Sequence, residues 1–353
     1  MGPSVFEEDP NAHISSLPIN NPSQPRAGVH PIQTLPPEIL GEIFVDFLPP
    51  YPGLPPLSGL LSPHLLCRIC RQWRAIALST PRLWSAIRID AFQNDSDAEQ
   101  ARKLEILKTW LTRSSNCPLS LSLSGASYAP LLGDFIEAIL AHRARWEHVD
   151  VLVPPKAAHL MRGEMPLLRS LTFGPILHYR GPTGASCSLF DHAPLLTDVV
   201  LGGNFFTNQM RFPWAQLTHL NALCLIEWEC ADVLREAPRL VSFEVRVAPN
   251  PSNRGEDVDV PVHLLLRDLI LRPLEFHSSG YQQWNVLDRL TLPALCKLQV
   301  SEAHVTLRSL KAFMLRSRCT LEELRVVDAT LAESVFREIL PPFGPLLLKA
   351  KAY

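Results

Sequence analysis

Three short stretches decide how this chain folds: Leu266-Arg267-Asp268-Leu269-Ile270-Leu271, Leu295-Cys296-Lys297-Leu298-Gln299-Val300 and Leu321-Glu322-Glu323-Leu324-Arg325-Val326. Each reads apolar, two variable, apolar, one variable, apolar. The last apolar pair alternates, as a short strand with one buried face does. Working back toward the N-terminus, the spacing recurs at Leu240/Phe243/Val245, Leu196/Val199/Leu201, Leu168/Leu171/Phe173 and Trp146/Val149/Val151. Leu217/Leu220 is the poorest copy. There either Ala222 fills the third place or the register slips to Leu220/Leu223/Leu225. Pro166, Pro194, Pro238 and Pro293 each stand two residues ahead of a first apolar position.

The eight units start 22, 28, 21, 23, 26, 29 and 26 residues apart, within the 20–29-residue period of leucine-rich repeats. The asparagine of regular repeats is mostly missing. The expectation is an α/β chain whose residues 146–353 form an irregular leucine-rich-repeat solenoid with short parallel strands.

Upstream, the pattern changes to helical. Ser96-Asp97-Ala98-Glu99 is a capping box opening a helix to about Arg113, with Leu104, Leu107 and Leu111 as its stripe. A second helix near residues 131–145 carries Phe135, Ile136, Ile139 and Leu140. Residues 91–145 therefore read as a helical linker and the start of the solenoid. Further upstream, Pro36 and Pro37 fit a first helical turn, and Ile39, Leu40, Ile43, Phe44, Phe47 and Leu48 form one apolar face until Pro49. A second helical set holds Leu65, Leu66, Ile69, Cys70, Trp73, Ile76 and Ala77, with Arg68, Arg71 and Arg74 opposite. Leu83, Trp84 and Ile87 form a short apolar tail. Two short helices cannot bury that much apolar surface against each other, so part of it meets another element or another protein.

Of the 353 residues 33 are proline, and 14 of these fall within residues 1–63. Such density breaks helices and central strands. Residues 1–30 read as a disordered leader, and the proline-rich stretch 49–63 as an interruption. That stretch also explains why the uncharged run 49–67 is not a membrane helix. Residues 1–30 contain no apolar signal-peptide core, and the eight cysteines are scattered as reduced core thiols would be. The expectation is an intracellular chain, cytoplasmic or nuclear, with no membrane partner. With a net charge of −2 there is no basic field to attract nucleic acid, and no nucleic-acid partner is expected.

The segment Thr34-Leu35-Pro36-Pro37-Glu38-Ile39-Leu40-Gly41-Glu42-Ile43-Phe44, then Ile69-Cys70-Arg71-Gln72-Trp73, then Pro81-Arg82-Leu83-Trp84 resembles an F-box over residues 31–90. With irregular repeats behind it, the chain is similar to the F-box family of mushroom-forming fungi. The resemblance implies a three-helix unit that docks on the Skp-type adaptor of Skp–cullin–F-box ubiquitin ligases. Carried onto this chain, it implies that Leu35, Pro36, Ile39, Leu40 and Ile43 face the adaptor. Phe44, Ile69, Trp73 and Trp84 partly pack the unit and partly support that contact. The proline-rich link is about eight residues longer than the family's usual one, a departure from the pattern just where the second helix would start.

No phosphate-binding glycine loop, nucleophile elbow or H-E-x-x-H occurs. Cys67 and Cys70 are a lone pair on the apolar face of the Trp73 helix, where a structural zinc site needs four ligands. His142/His148 and His178/His192 read as isolated surface histidines. Trp214 and Trp228, with Phe205 and Phe206, read as core before contact surface. No catalytic residue, cofactor or metal is expected. The functional expectation is a non-enzymatic adaptor that presents a protein substrate for ubiquitination. The alternative is a scaffold or binding protein that keeps the same fold outside any ligase.

Overall fold

In a computed structural model of the chain, the middle apolar residues of all eight units stand side by side. Val149, Leu171, Val199, Leu220, Phe243, Leu269, Leu298 and Leu324 are successive partners in one parallel ladder. The structure describes residues 31–90, 95–124, 131–153, 160–175, 187–188, 190, 192–202, 210–248, 262–273, 286–302 and 304–350. The leader 1–30, together with His178, Phe205 and Phe206, lies outside them.

The strands are β1 (Ala86–Asp90), β2 (Leu119–Ser124), β3 (Trp146–Val153), β4 (Ser170–Pro175), β5 (Cys187–Ser188), β6 (Asp198–Leu201), β7 (Met210–Arg211), β8 (His219–Ile226), β9 (Ser242–Ala248), β10 (Asp268–Pro273), β11 (Lys297–Ser301), β12 (Glu323–Ala329) and β13 (Leu346–Ala350). Eleven of them form one sheet in chain order, every pairing parallel; β5 and β7 pair separately. The helices are α1 (Pro37–Asp46), α2 (Arg71–Leu78), α3 (Asp97–Arg113), α4 (Leu132–Leu140), α5 (Glu227–Glu236), α6 (Leu307–Ser317) and α7 (Glu333–Ile339). Strands laid down in chain order, each beside the last, make an α/β solenoid-like architecture in which a unit touches mainly its neighbours. No helix among the described residues is long and apolar enough to cross a membrane.

The ladder explains the spacing. The first apolar position of each unit, from Trp146 and Leu168 to Leu295 and Leu321, is buried at the turn entering the strand. The middle and third positions point inward from it. Burying one such side chain is worth about 1.5–3 kcal/mol. At the poorest copy, Leu220 pairs with Val199 and Ala222 with Leu201, so Ala222 fills the third place. An irregularity after Ala222 then turns Leu223 outward and Leu225 back into the core.

The sheet is longer than the eight-unit pattern. It begins at Ala86, where Ile87 pairs with Leu121, and Leu121 pairs in turn with Val149. It ends with Leu346 beside Leu324. Residues 91–145 thus contribute a strand as well as helices. The β2 unit lacks the pattern because Pro118 stands where the others carry an apolar residue. The tail at Trp84 and Ile87 is the first unit. Trp84 and Trp146 occupy the same place in their units and are held alike: the Trp84 indole N–H donates to the Ala77 carbonyl at 2.8 Å, and that of Trp146 to the Ile139 carbonyl at 3.2 Å.

Local signals hold for α3 and α4. The Ser96 hydroxyl accepts the Glu99 N–H at 3.3 Å, and Leu104, Leu107 and Leu111 are buried, joined by Trp110. The second predicted helix ends at Leu140, short of Arg145, and a 3-10 turn, Arg143–Arg145, follows. Trp214 is buried and Trp228 half-buried. Between units, buried His263 donates from Nε2 to the Ala237 carbonyl at 2.9 Å and accepts the Leu266 N–H on Nδ1 at 3.1 Å.

Candidate partner-binding surface

The apolar face of α1 is two adjacent rows with different fates. Residues four apart stack on a helix, so Leu40 and Phe44 form one row and Ile39 and Ile43 the other. The first row is inside: Leu40 and Phe44 are buried, and the Phe44 ring lies 4.8 Å from that of half-buried Trp73. Gly41 lets the helix close on the neighbouring turn, because a Cβ there would sit 3.2 Å from the Thr80 hydroxyl. The second row is outside, with Ile39 49% and Ile43 43% exposed. Pro36, which precedes the helix, is exposed and Leu35 is half-buried against the core.

The second helical set is not one helix. Leu66–Arg68 is a 3-10 turn, and Cys70 adopts an extended conformation (φ −155°, ψ 172°) that breaks the run. Its Sγ accepts the Trp73 N–H at 3.4 Å, capping α2. Cys67 and Cys70 therefore do not share a helix face, contrary to the spacing argument. Ile69 at this break is 53% exposed.

Leu40, which the F-box resemblance turns toward the adaptor, is instead buried, and Phe44 and Trp84 take only the packing half of the role it gives them. Leu40, Phe44 and Trp84 are sealed by their own chain, so they hold the unit together and offer no surface to a partner. Trp84 is also the entry residue of the first strand, clamped by its bond to Ala77. Pro36, Ile39, Ile43 and Ile69 are the members of the set left outside. The Arg82 guanidinium ties to Glu42 of α1 at 2.8 Å to both oxygens, an exposed pair worth about 0.2–1 kcal/mol.

The proline-rich stretch is folded against the sheet. Pro55 accepts the Arg88 N–H at 2.8 Å and Pro56 bridges to Arg88, covering the outer edge of β1. A covered edge strand cannot template pairing with another chain. Further back, Tyr51 stacks on His148 with ring centroids 4.0 Å apart, and its hydroxyl donates to Ser170 Oγ at 3.2 Å. The stretch thus crosses the polar face of the sheet as far as β3 and β4. No sequence signal pointed to this contact; the stretch was legible only as a helix breaker.

Among the described residues, His142, His148 and His192 stand apart, each with its own neighbours. Burial lowers the pKa of His148, Arg169 lowers it further, and Glu147 and Asp198 oppose. His142 is likewise lowered by burial and then by Arg145. His192 is exposed beside Glu164 at 3.7 Å. Burial raises the Cys230 thiol strongly, with Glu229 and Glu227 adding to it. Such a thiol is inert rather than nucleophilic. Cys230 and Cys319 are buried, while Cys67, Cys70, Cys117, Cys224 and Cys296 are half-buried, and all seven are free. Among the described residues no three His, Cys, Asp or Glu side chains group as metal ligands.

No protein-family model matches this chain, and no curated protein matches it.

Proposed function

We propose that the chain is a non-enzymatic substrate-recognition adaptor: residues 31–90 act as an F-box docking on a Skp-type adaptor, and the leucine-rich solenoid presents a protein substrate to the ubiquitin ligase. The observation that carries this reading is the outer row of α1. Ile39 and Ile43, and Ile69 at the break between the 3-10 turn and α2, leave large apolar side chains in water. They do so while the row beside them is packed to completion. Exposed apolar residues on adjoining elements read as a contact surface for another protein, and the motif order around them is that of an F-box. Ubiquitin chemistry then belongs to partner proteins.

The second reading, a scaffold outside any ligase, draws on the break at Ile69–Cys70 and on the proline-rich strap. Both depart from the family's pattern where the second helix would join the contact. Pull-down of the full chain with a Skp-type adaptor separates the two. The ligase reading expects capture at micromolar concentration and loss of capture in Ile43→Asp. Failure of the wild type to bind removes the ligase reading and leaves the scaffold. Capture of Ile43→Asp as strong as wild type removes the assignment of the α1 row.

A further inference from the structure

Three arginines from three elements meet at one small pocket whose lining contains no carboxylate. Arg68 closes the 3-10 turn before α2, Arg74 belongs to α2, and Arg113 lies in the last turn of α3; His64, Cys67 and Leu78 complete the lining. The cavity measures about 140 Å³. A site for one water needs about 10–15 Å³ of such space, so the pocket has room for one tetrahedral oxyanion with part of its hydration.

The cations are not neutralised from within. No ion pair found among the described residues uses Arg68, Arg74 or Arg113. Arg113 is held in place, its guanidinium carbon 4.6 Å above the ring of buried Trp84. A guanidinium stacked this way keeps its edge N–H groups available for an in-plane acceptor. The neutral groups of the pocket register the field. Burial lowers the His64 pKa and Arg113 lowers it further, while burial raises the Cys67 thiol with Arg113 and Arg74 opposing. Like charges gathered without a counter-charge repel, and an anion that satisfies all three removes that cost.

We propose that this pocket binds a phosphate-class oxyanion, taken by Arg68, Arg74 and Arg113 through charge-assisted hydrogen bonds. Planar guanidinium forks match phosphate oxygens in pairs, and a tetrahedral dianion offers acceptors to more forks than a flat carboxylate does. The occupant ties the 3-10 turn and α2 to the C-terminal end of α3, across the junction between the N-terminal helices and the first strands. The phosphate comes either free or on a phosphorylated side chain of a bound protein. None of this depends on the adaptor reading, since the α1 row takes no part in the pocket.

The test uses the full chain, with its unfolding temperature and calorimetric binding measured in inorganic phosphate against chloride at matched ionic strength. Phosphate raises the unfolding temperature of the wild type. Arg68→Gln and Arg74→Gln each weaken phosphate binding about tenfold, while Arg71→Gln, on the same helix but outside the pocket, leaves it unchanged. Arg113→Gln is avoided because it also strips the stacking on Trp84. The peptide acetyl-Gly-phosphoserine-Gly-amide identifies the source: binding about tenfold tighter than inorganic phosphate assigns a phosphorylated side chain, and equal or weaker binding assigns free phosphate. The proposal is overturned if phosphate acts no more than chloride does. It is equally overturned if Arg68→Gln and Arg74→Gln respond as the wild type does, which would mean an adventitious ion only.

Discussion

α1 and α3 are both amphipathic helices of the N-terminal third, yet they spend their apolar residues differently. α3 puts Leu104, Leu107, Trp110 and Leu111 under cover. α1 buries Leu40 and Phe44 but leaves Ile39 and Ile43 in water, with Ile69 exposed beyond them. A single exposed isoleucine is ordinary. Two neighbouring isoleucines left in water beside a fully packed row are what the proposed docking surface rests on. The stripe of α3 serves the fold, and the outer row of α1 is the surface we propose for a second molecule.

That contrast can be broken most severely at Trp84, the residue where the F-box-like segment and the sheet share a side chain. Trp84→Ala opens a cavity and frees the Ala77 carbonyl. It should destabilise by about 3–5 kcal/mol, read as a shift in urea midpoint. A loss under about 1 kcal/mol would mean that the two regions are not fastened there.

On the outer row the expectation inverts. Ile43→Asp should leave stability within about 0.5 kcal/mol but weaken binding of a Skp-type adaptor by about 2 kcal/mol or more, measured by calorimetry. A large stability loss without a binding loss would make the row part of the core.

Within the sheet, Gly174 and Gly202 let two backbones approach. A Cβ on residue 174 would lie 2.6 Å from the Gly202 backbone, which has no flexible end to move. Gly174→Ala should therefore cost about 1–3 kcal/mol in the same urea assay and leave adaptor binding untouched.

The smallest effect is on pH. His64, His142, His148 and His304 all have their pKa lowered from 6.5, in each case first by burial. The folded state therefore keeps them neutral where the unfolded state takes up protons. Their contribution is fully present above pH 6.5 and is lost as pH falls through and below that value. The unfolding temperature should drop between pH 7 and pH 5 in a thermal melt. A rise over that window would contradict the burial of these rings.

The repeat was legible because parallel pairing in register demands the same residue type at the same offset, unit after unit. Val149 through Leu324 keep that offset and do pair. Legibility failed where another signal used the same residues. Trp84, Ile87 and Ile89 fit the repeat, but Trp84 also ends the F-box-like motif. β2 was hidden by Pro118 at its entry. On α1, helical spacing groups residues by face but does not separate the row turned to the core from the row beside it, so spacing does not tell Leu40 from Ile39 and Ile43. The break at Cys70 is a local choice between continuing the helix and accepting the Trp73 N–H on a sulfur, which no spacing records. The Tyr51–His148 stack joins residues 97 positions apart in a stretch with no periodicity.

The most direct test of the account is amide hydrogen exchange on the full chain with and without a Skp-type adaptor. The account predicts slowed exchange over residues 37–46 and 66–73, with residues 97–113 unchanged. Protection of residues 97–113, or of the sheet, with residues 37–46 unaffected would contradict the claim that the outer row of α1 is the docking surface.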